Sequence, residues 1–372
     1  MLKKIRRLLF QAFSVFVVVL AGAFALNTLN FSSKQIEVTS APPKEIPSAV
    51  VERLSQAIQI PTLSYHSHID TAAFIHFKKF IKEKYPLVDS LLQEQLVNPY
   101  SIVYRWQGTK PLLEPILLLA HIDLVPVEGE SLQEWTLPPY SGKIQDGYIW
   151  GRGTLDDKVN VLGILEAIQL LLSEDYQPER SLYIAFGHDE EVGGRAGAQR
   201  IAQYFKEKNI RFEYVLDEGM VVLEKALPGL APPATLIGIA EKGYLSVTLR
   251  VDLEEGGHSS MPAKETAIGL LAKTIRTLEE HPFPAKIDGP TKTLFEYVGP
   301  EMSMPNKLVF ANTWFFENIL LKQLSKQASA NATVRTTMAP TIVQAGVKDN
   351  VMPTTASLTI NCRIIPGETI ES

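Results

Sequence analysis

The sequence predicts an α/β fold: a mostly parallel central sheet with flanking helices, plus a smaller α+β lid or dimerisation domain. Three observations predict it. From Ser48 to Asp217 short apolar runs alternate with helical patterns, as βαβ units do. Four of the runs end on acidic or histidine clusters, which suits the carboxyl edge of an open sheet, where ligands bind. Beyond Glu241-Lys242-Gly243 the pattern changes, and Tyr244–Leu253 alternates apolar and polar residues like a strand with one wet face.

The elements follow in order. Lys3, Lys4, Arg6 and Arg7 precede Leu8–Leu26, which is apolar apart from Gln11 and Ser14. As a helix that run spans ~28 Å, close to the ~30 Å hydrocarbon thickness. Residues 1–30 therefore read as a signal anchor, with the basic end cytoplasmic and the remainder outside. Ala23-Phe24-Ala25 also offers a cleavage site, so a secreted product is the alternative. Residues 31–47, with Pro42, Pro43 and Pro47, read as a linker. Residues 48–241 are expected to form the catalytic domain and 242–372 the lid. In the first, helices are expected near Val50–Ile58, Thr71–Lys84 and Val159–Leu172, with strands at Ile102–Trp106 and Leu113–Ala120. In the second, a turn at His258–Pro262, a helix over Thr266–Leu278 and a strand over Ala356–Ile365 are expected. His281–Val343 shows no clear period.

Composition narrows the chemistry. A net charge of −5 leaves no basic footprint for nucleic acid. The single cysteine, Cys362, excludes an intrachain disulfide and a thiolate metal cage, so imidazole and carboxylate must do any ligation. No Gly-x-Ser-x-Gly elbow is present to support a serine hydrolase.

The clusters supply such ligands. Ile116–Ala120 runs into His121-Ile122-Asp123. Two residues apart on a strand end, these side chains share a side; Asp123 either orients the imidazole or ligates directly. Gly147–Trp150 leads through Gly151-Arg152-Gly153 to Asp156-Asp157-Lys158, where the acids either cap the next helix or bind metal, Asp156 bridging two cations. Leu182–Phe186 ends at His188-Asp189-Glu190-Glu191. Adjacent glutamates diverge, so one can bind metal while its neighbour holds water. Tyr214–Leu216 ends at Asp217-Glu218, with Asp217 the expected terminal ligand and Glu218 solvated.

These motifs resemble a known family. His121–Pro126, Gly151–Lys158 and Asp189–Gly194 look like the dizinc aminoacylase/carboxypeptidase metallopeptidases. Trp150–Lys158 and Phe186–Glu191 look most like the carboxypeptidase S and N-acyl-amino-acid hydrolase branch. The resemblance implies two Zn2+ per subunit, with Co2+ or Mn2+ as substitutes. His121, Asp156, Glu191 and Asp217 become metal ligands, Glu190 the general base and Asp123 the support of His121. It also implies a cis peptide between Asp156 and Asp157.

In the second domain, Gly257–Pro262 matches the family's lid histidine, and His258 would stabilise the oxyanion, across a homodimer in many relatives. Asn350 and Arg363 match positions that hold a substrate carboxylate. The expected reaction is hydrolysis of an amide beside a free carboxylate, in a small peptide or an N-acyl amino acid. The family's last metal-binding histidine lies beyond the lid, and this sequence has none after His281. That predicts either a longer chain or a catalytically incomplete, membrane-tethered binding or scaffold relative.

Overall fold

The computed structural model describes residues 2–39, 42, 45–219, 222–224 and 229–371. Of the expected linker, Ser40, Ala41, Pro43 and Lys44 lie outside the described residues. By contacts the chain forms two units, 40–219 and 220–372 together with 1–39. The sequence reading had set the change of domain at 241 and kept the first thirty residues apart.

The first unit follows helix α1 (Leu2–Asn30), which belongs to the other. It holds α2 (Ser48–Ile58), α3 (Thr71–Lys84), α4 (Pro86–Leu91), α5 (Lys158–Ser173) and α6 (Ala198–Glu207). Its strands are β1 (Gln93–Val97), β2 (Ser101–Trp106), β3 (Ile116–His121), β4 (Lys143–Gln145), β5 (Tyr148–Trp150), β6 (Leu182–Gly187) and β7 (Val215–Leu216). The central sheet has the order β1-β2-β6-β3-β7. β6, β3 and β7 are parallel, whereas β1 and β2 pair antiparallel at one edge. The sheet is therefore mixed, and its parallel part carries the predicted clusters.

Both faces are covered, which explains why β2, β3 and β6 read as unbroken apolar runs. Ile102, Tyr104 and Trp106 of β2 pack with Phe74 and Phe77 of α3 and Leu162 and Leu165 of α5. The alternate residue Val103, with Tyr183 and Ala185 of β6, packs on Ile201 and Phe205 of α6. Asp70 caps α3, its Oδ1 accepting the Ala73 amide at 3.3 Å. One expected strand lies elsewhere. Gly147–Trp150 was read as a member of the sheet, yet β5 pairs only with β4 in a separate hairpin. Three apolar residues, Tyr148–Trp150, are too few to fix which strand is their neighbour.

The second unit contains β8 (Val222–Leu223), β9 (Ala234–Thr235), β10 (Gly243–Asp252) and β11 (Gly257–His258), then α7 (Ala267–Glu280). The segment without a clear period is helical: α8 (Gly289–Val298), α9 (Met304–Ala311), α10 (Thr313–Leu324) and α11 (Ala328–Val334). β12 (Thr337–Ala345), β13 (Val351–Met352) and β14 (Thr355–Ile364) complete it. An antiparallel sheet β10-β14-β12 buries Ala356, Leu358 and Ile360 against Ala267 and Leu271 of α7. α7 begins at Thr266, whose Oγ1 accepts the Gly269 amide at 3.0 Å. The described part of α1 is long and apolar enough to cross a membrane, and its apolar stretch is exposed. Its last turns are engaged: Phe24 meets Phe315 at 5.1 Å between ring centroids, and Asn27 donates to Asn312 Oδ1 at 2.9 Å.

Candidate metal centre

His121 ends β3 and is 2% exposed. Its Nδ1 donates to the Asp123 carbonyl at 3.1 Å and lies 3.3 Å from Asp123 Oδ1. Its Nε2 faces carboxylates: Asp156 Oδ1 at 2.8 Å, Glu218 Oε1 at 3.4 Å and Glu190 Oε2 at 3.9 Å. Two sets of candidate ligand atoms converge within 4.8 Å of one another. One is His121, Asp156 and Glu218; the other is His121, Glu190 and Glu191.

The loops are fixed by buried acids. Asp123, with no exposed surface, accepts the amides of Glu190 at 3.1 Å and Glu191 at 3.2 Å. Asp189 accepts the amides of Ala196 and Gly197, each at 2.7 Å, and so closes the glutamate loop beneath them. A Cβ at Gly197 would lie 2.4 Å from Asp189 Oδ1, which is why glycine stands there. His188 turns inward and pairs through Nδ1 with Ser101 Oγ at 2.6 Å, away from the carboxylates. The peptide between Asp156 and Asp157 is cis, as the resemblance implies.

Sequence reasoning missed three residues here. Asp157 is fully buried and accepts the backbone amide of His121 at 3.1 Å, locking the ligand-bearing strand end to the mouth of α5. Lys158 is fully buried as well, donating to the carbonyls of Ala57 at 2.9 Å and Ile60 at 2.5 Å over the Phe77 ring. Glu218, expected to be solvated, approaches His121, while Asp217 Oδ1 accepts the Glu218 amide at 2.9 Å and joins neither set. In sequence Asp157 is not separable from a helix cap.

Charge crowding sets the protonation. Burial alone would disfavour the imidazolium, but Asp123, with Glu218 and Asp156, pushes His121 up to about 10. Burial, then repulsion from Asp156, pushes Glu191 up to about 7. Glu218 reaches about 7 through burial and neighbouring carboxylates. Glu190 is also raised, by burial first. Carboxyls crowded this closely repel one another when ionised, a cost that a divalent cation among them would relieve. One imidazole and four carboxylates are donors that fit divalent cations such as Zn2+, Co2+ or Mn2+.

In the second unit, His258 lies on β11 opposite Val351 and its Nε2 is 3.5 Å from Asn350 Nδ2. Its Nδ1 meets Ser260 Oγ at 2.8 Å. Arg363 does not join them. It sits beside Tyr244, at the other end of β10 and β14, with its guanidinium 4.7 Å from that ring. The strand between Tyr244 and Asp252 is about 26 Å long at roughly 3.3 Å per residue.

A mixed α/β sheet whose parallel strand ends gather imidazole and carboxylates defines a metal-dependent hydrolase. The chain belongs to peptidase family M20/M25/M40, whose profile matches residues 117–314, and is thus a metallopeptidase or amidohydrolase acting on C–N bonds. It is 44% identical over 356 residues to a probable carboxypeptidase S-like 2 of Dictyostelium discoideum, covering 92% of this chain and 68% of that protein. It is 40% identical to the N-fatty-acyl-amino acid synthase/hydrolase PM20D1 of Xenopus tropicalis, covering 99% and 73%. Carboxypeptidase S of Saccharomyces cerevisiae is 32% identical, covering 84% and 57%. In fold it is similar to the M20 family metallo-carboxypeptidase Sso-CP2 of Sulfolobus solfataricus, with a TM-score of 0.59, 16% identity and coverage of 86% and 72%.

Proposed function

We propose that this chain carries the centre of a two-metal hydrolase that cleaves an amide beside a free carboxylate. One observation carries the reading: His121 Nε2 stands among Asp156, Glu218 and Glu190 at 2.8, 3.4 and 3.9 Å. His121, Asp156, Glu191 and the Asp217-Glu218 pair would hold two divalent cations, zinc by preference, with Asp156 between them. When bound, such cations acidify a water and polarise the scissile carbonyl.

Glu190 is the proposed general base. Its raised carboxyl, more exposed than the neighbouring Glu191, suits proton exchange with water and then with the leaving nitrogen. Asp123 keeps His121 Nε2 turned toward the cations and holds the base through its amide. For the substrate, His258 would stabilise the oxyanion and Asn350 would grip the carboxylate; Arg363, beside Tyr244 at the far end of β10 and β14, is not brought to the same place. The hydrogen-bond approach of His258 to Asn350 supports the first two as a pair. The names of the relatives support C-terminal residues of peptides or N-acyl amino acids as substrates. We further propose that α1 anchors the chain, with the remainder outside the cytoplasm.

The test is Glu190→Gln. Turnover of N-acyl amino acids should fall by roughly three orders of magnitude or more while both metal equivalents stay bound. Unchanged turnover would remove Glu190 from the role of base; less than one equivalent in the unmutated protein would remove the centre itself.

A further inference from the structure

Helices α9 and α10 are largely apolar, and of the two only α9 reaches a described core, through Phe310 against Val298 and Met302. No residue of either helix is buried. α10 reads Thr-Trp-Phe-Phe-Glu-Asn-Ile-Leu-Leu-Lys-Gln-Leu, seven of its twelve residues apolar. Large apolar side chains left exposed together mark a surface that meets a partner or lipid. Met304, Trp314, Phe315 and Ile319 are 66%, 60%, 48% and 61% exposed.

Their position supplies the occupant. Phe24 of α1 meets the rings of Trp314, Phe315 and Phe316 at 6.1, 5.1 and 5.5 Å. Phe24 lies about 24 Å along the helix from Leu8 at about 1.5 Å per residue, near the outer boundary of a ~30 Å hydrocarbon layer. One turn farther on, Asn27 donates to Asn312, which is fully buried and also donates to the Leu308 carbonyl at 2.9 Å. Apolar rings thus sit level with the end of the apolar run, and amides sit just above it. That ordering matches the acyl-to-headgroup transition, where tryptophan concentrates.

We propose that α9 and α10 dock into the outer leaflet beside α1, with Trp314, Phe315 and Ile319 among the acyl chains. The patch is continuous with the exposed apolar surface of α1, and a bilayer covers both at once. Lys322 on the same helix can extend its ammonium to the headgroups. This inference rests on the reading of α1 as an anchor.

The experiment uses the full chain reconstituted in phosphatidylcholine vesicles with brominated acyl chains. Trp314 is one of four tryptophans, the others being Trp106, Trp135 and Trp150 in the first unit. Bromolipid should quench up to about a quarter of the emission, one indole in four, and Trp314→Phe should abolish the quenching. Bromines near the carbonyls should quench more than bromines at the chain ends. Trp314→Phe must retain the unmutated chain's circular dichroism and vesicle flotation, which establishes that it folds. A chain that floats with vesicles but keeps its emission in bromolipid overturns the docking and leaves the anchor standing; a second copy covering the face would give that result. A chain that does not float overturns both.

Discussion

Asp123 accepts the amide of Glu190 at 3.1 Å, so the residue that orients the metal-facing imidazole also fixes the proposed base. The same carboxylate takes the Glu191 amide. Asp123→Asn would turn an NH2 toward one of these donors and loosen both loops. We expect metal affinity and kcat each to fall about 10- to 100-fold, as when other carboxylates behind metal-binding histidines are removed. Metal titration and steady-state kinetics check it, with circular dichroism unchanged. Wild-type affinity would show that His121 needs no such partner.

The Asp217-Glu218 pair offers a choice that the two positions can settle. Only Glu218 approaches His121, at 3.4 Å. Glu218→Gln should weaken one metal equivalent at least tenfold, and Asp217→Asn considerably less. Competition with a chromogenic chelator reads both. The reverse order would make Asp217 the ligand, as the sequence reading expects.

Metal uptake should expel protons. At pH 7, Glu191 and Glu218, both near 7, are partly protonated, and His121, near 10, is charged. Cations bind the deprotonated groups, so apparent affinity rises with pH through this range. Calorimetry in buffers of different ionisation enthalpy should give a net proton release; none would contradict the crowded-acid description. Without metal the sign for stability is the opposite. Raised carboxyls bind more protons folded than unfolded, so stability falls as pH climbs from about 4.5 to about 7. The His121 contribution has the same sign, present below about 6.5 and lost toward about 10. A melting series from pH 5 to 8 in chelator should decline, and added zinc should reverse the slope.

Lys158 is a structural hydrogen-bond donor. Lys158→Ala leaves the carbonyls of Ala57 and Ile60 without their donor and opens space against Phe77. A loss of about 3–5 kcal/mol is expected from unmet buried acceptors plus a cavity. Urea unfolding measures it. A loss under about 1 kcal/mol would mean that water replaces the ammonium without penalty.

How legible all this was depended on periodicity. α2, α3, α5 and α7 stood out because one face of each is buried and the other wet. β1 was missed because Gln93, Glu94 and Gln95 sit on a sheet edge and carry no apolar alternation. α8–α11 were unreadable because polar and apolar residues are mixed around α10 and prolines interrupt the segment. In the centre, His121, Asp156, Glu190 and Glu191 could be singled out because each lies within about six residues of the end of an apolar run. Asp157 could not, since a buried acid and a helix cap look alike in sequence. Between Asp217 and Glu218 the choice turns on a two-residue strand, too short for its alternation to say which side chain turns inward.

The tie between Asn27 and Asn312 joins residues 285 apart in sequence. At roughly 5–20 residues per second of synthesis, the first amide waits about 15–60 s for its counterpart to leave the ribosome. The opening helix must therefore be settled well before its neighbour exists, and α9 with α10 arrives as a late latch onto a segment already in place.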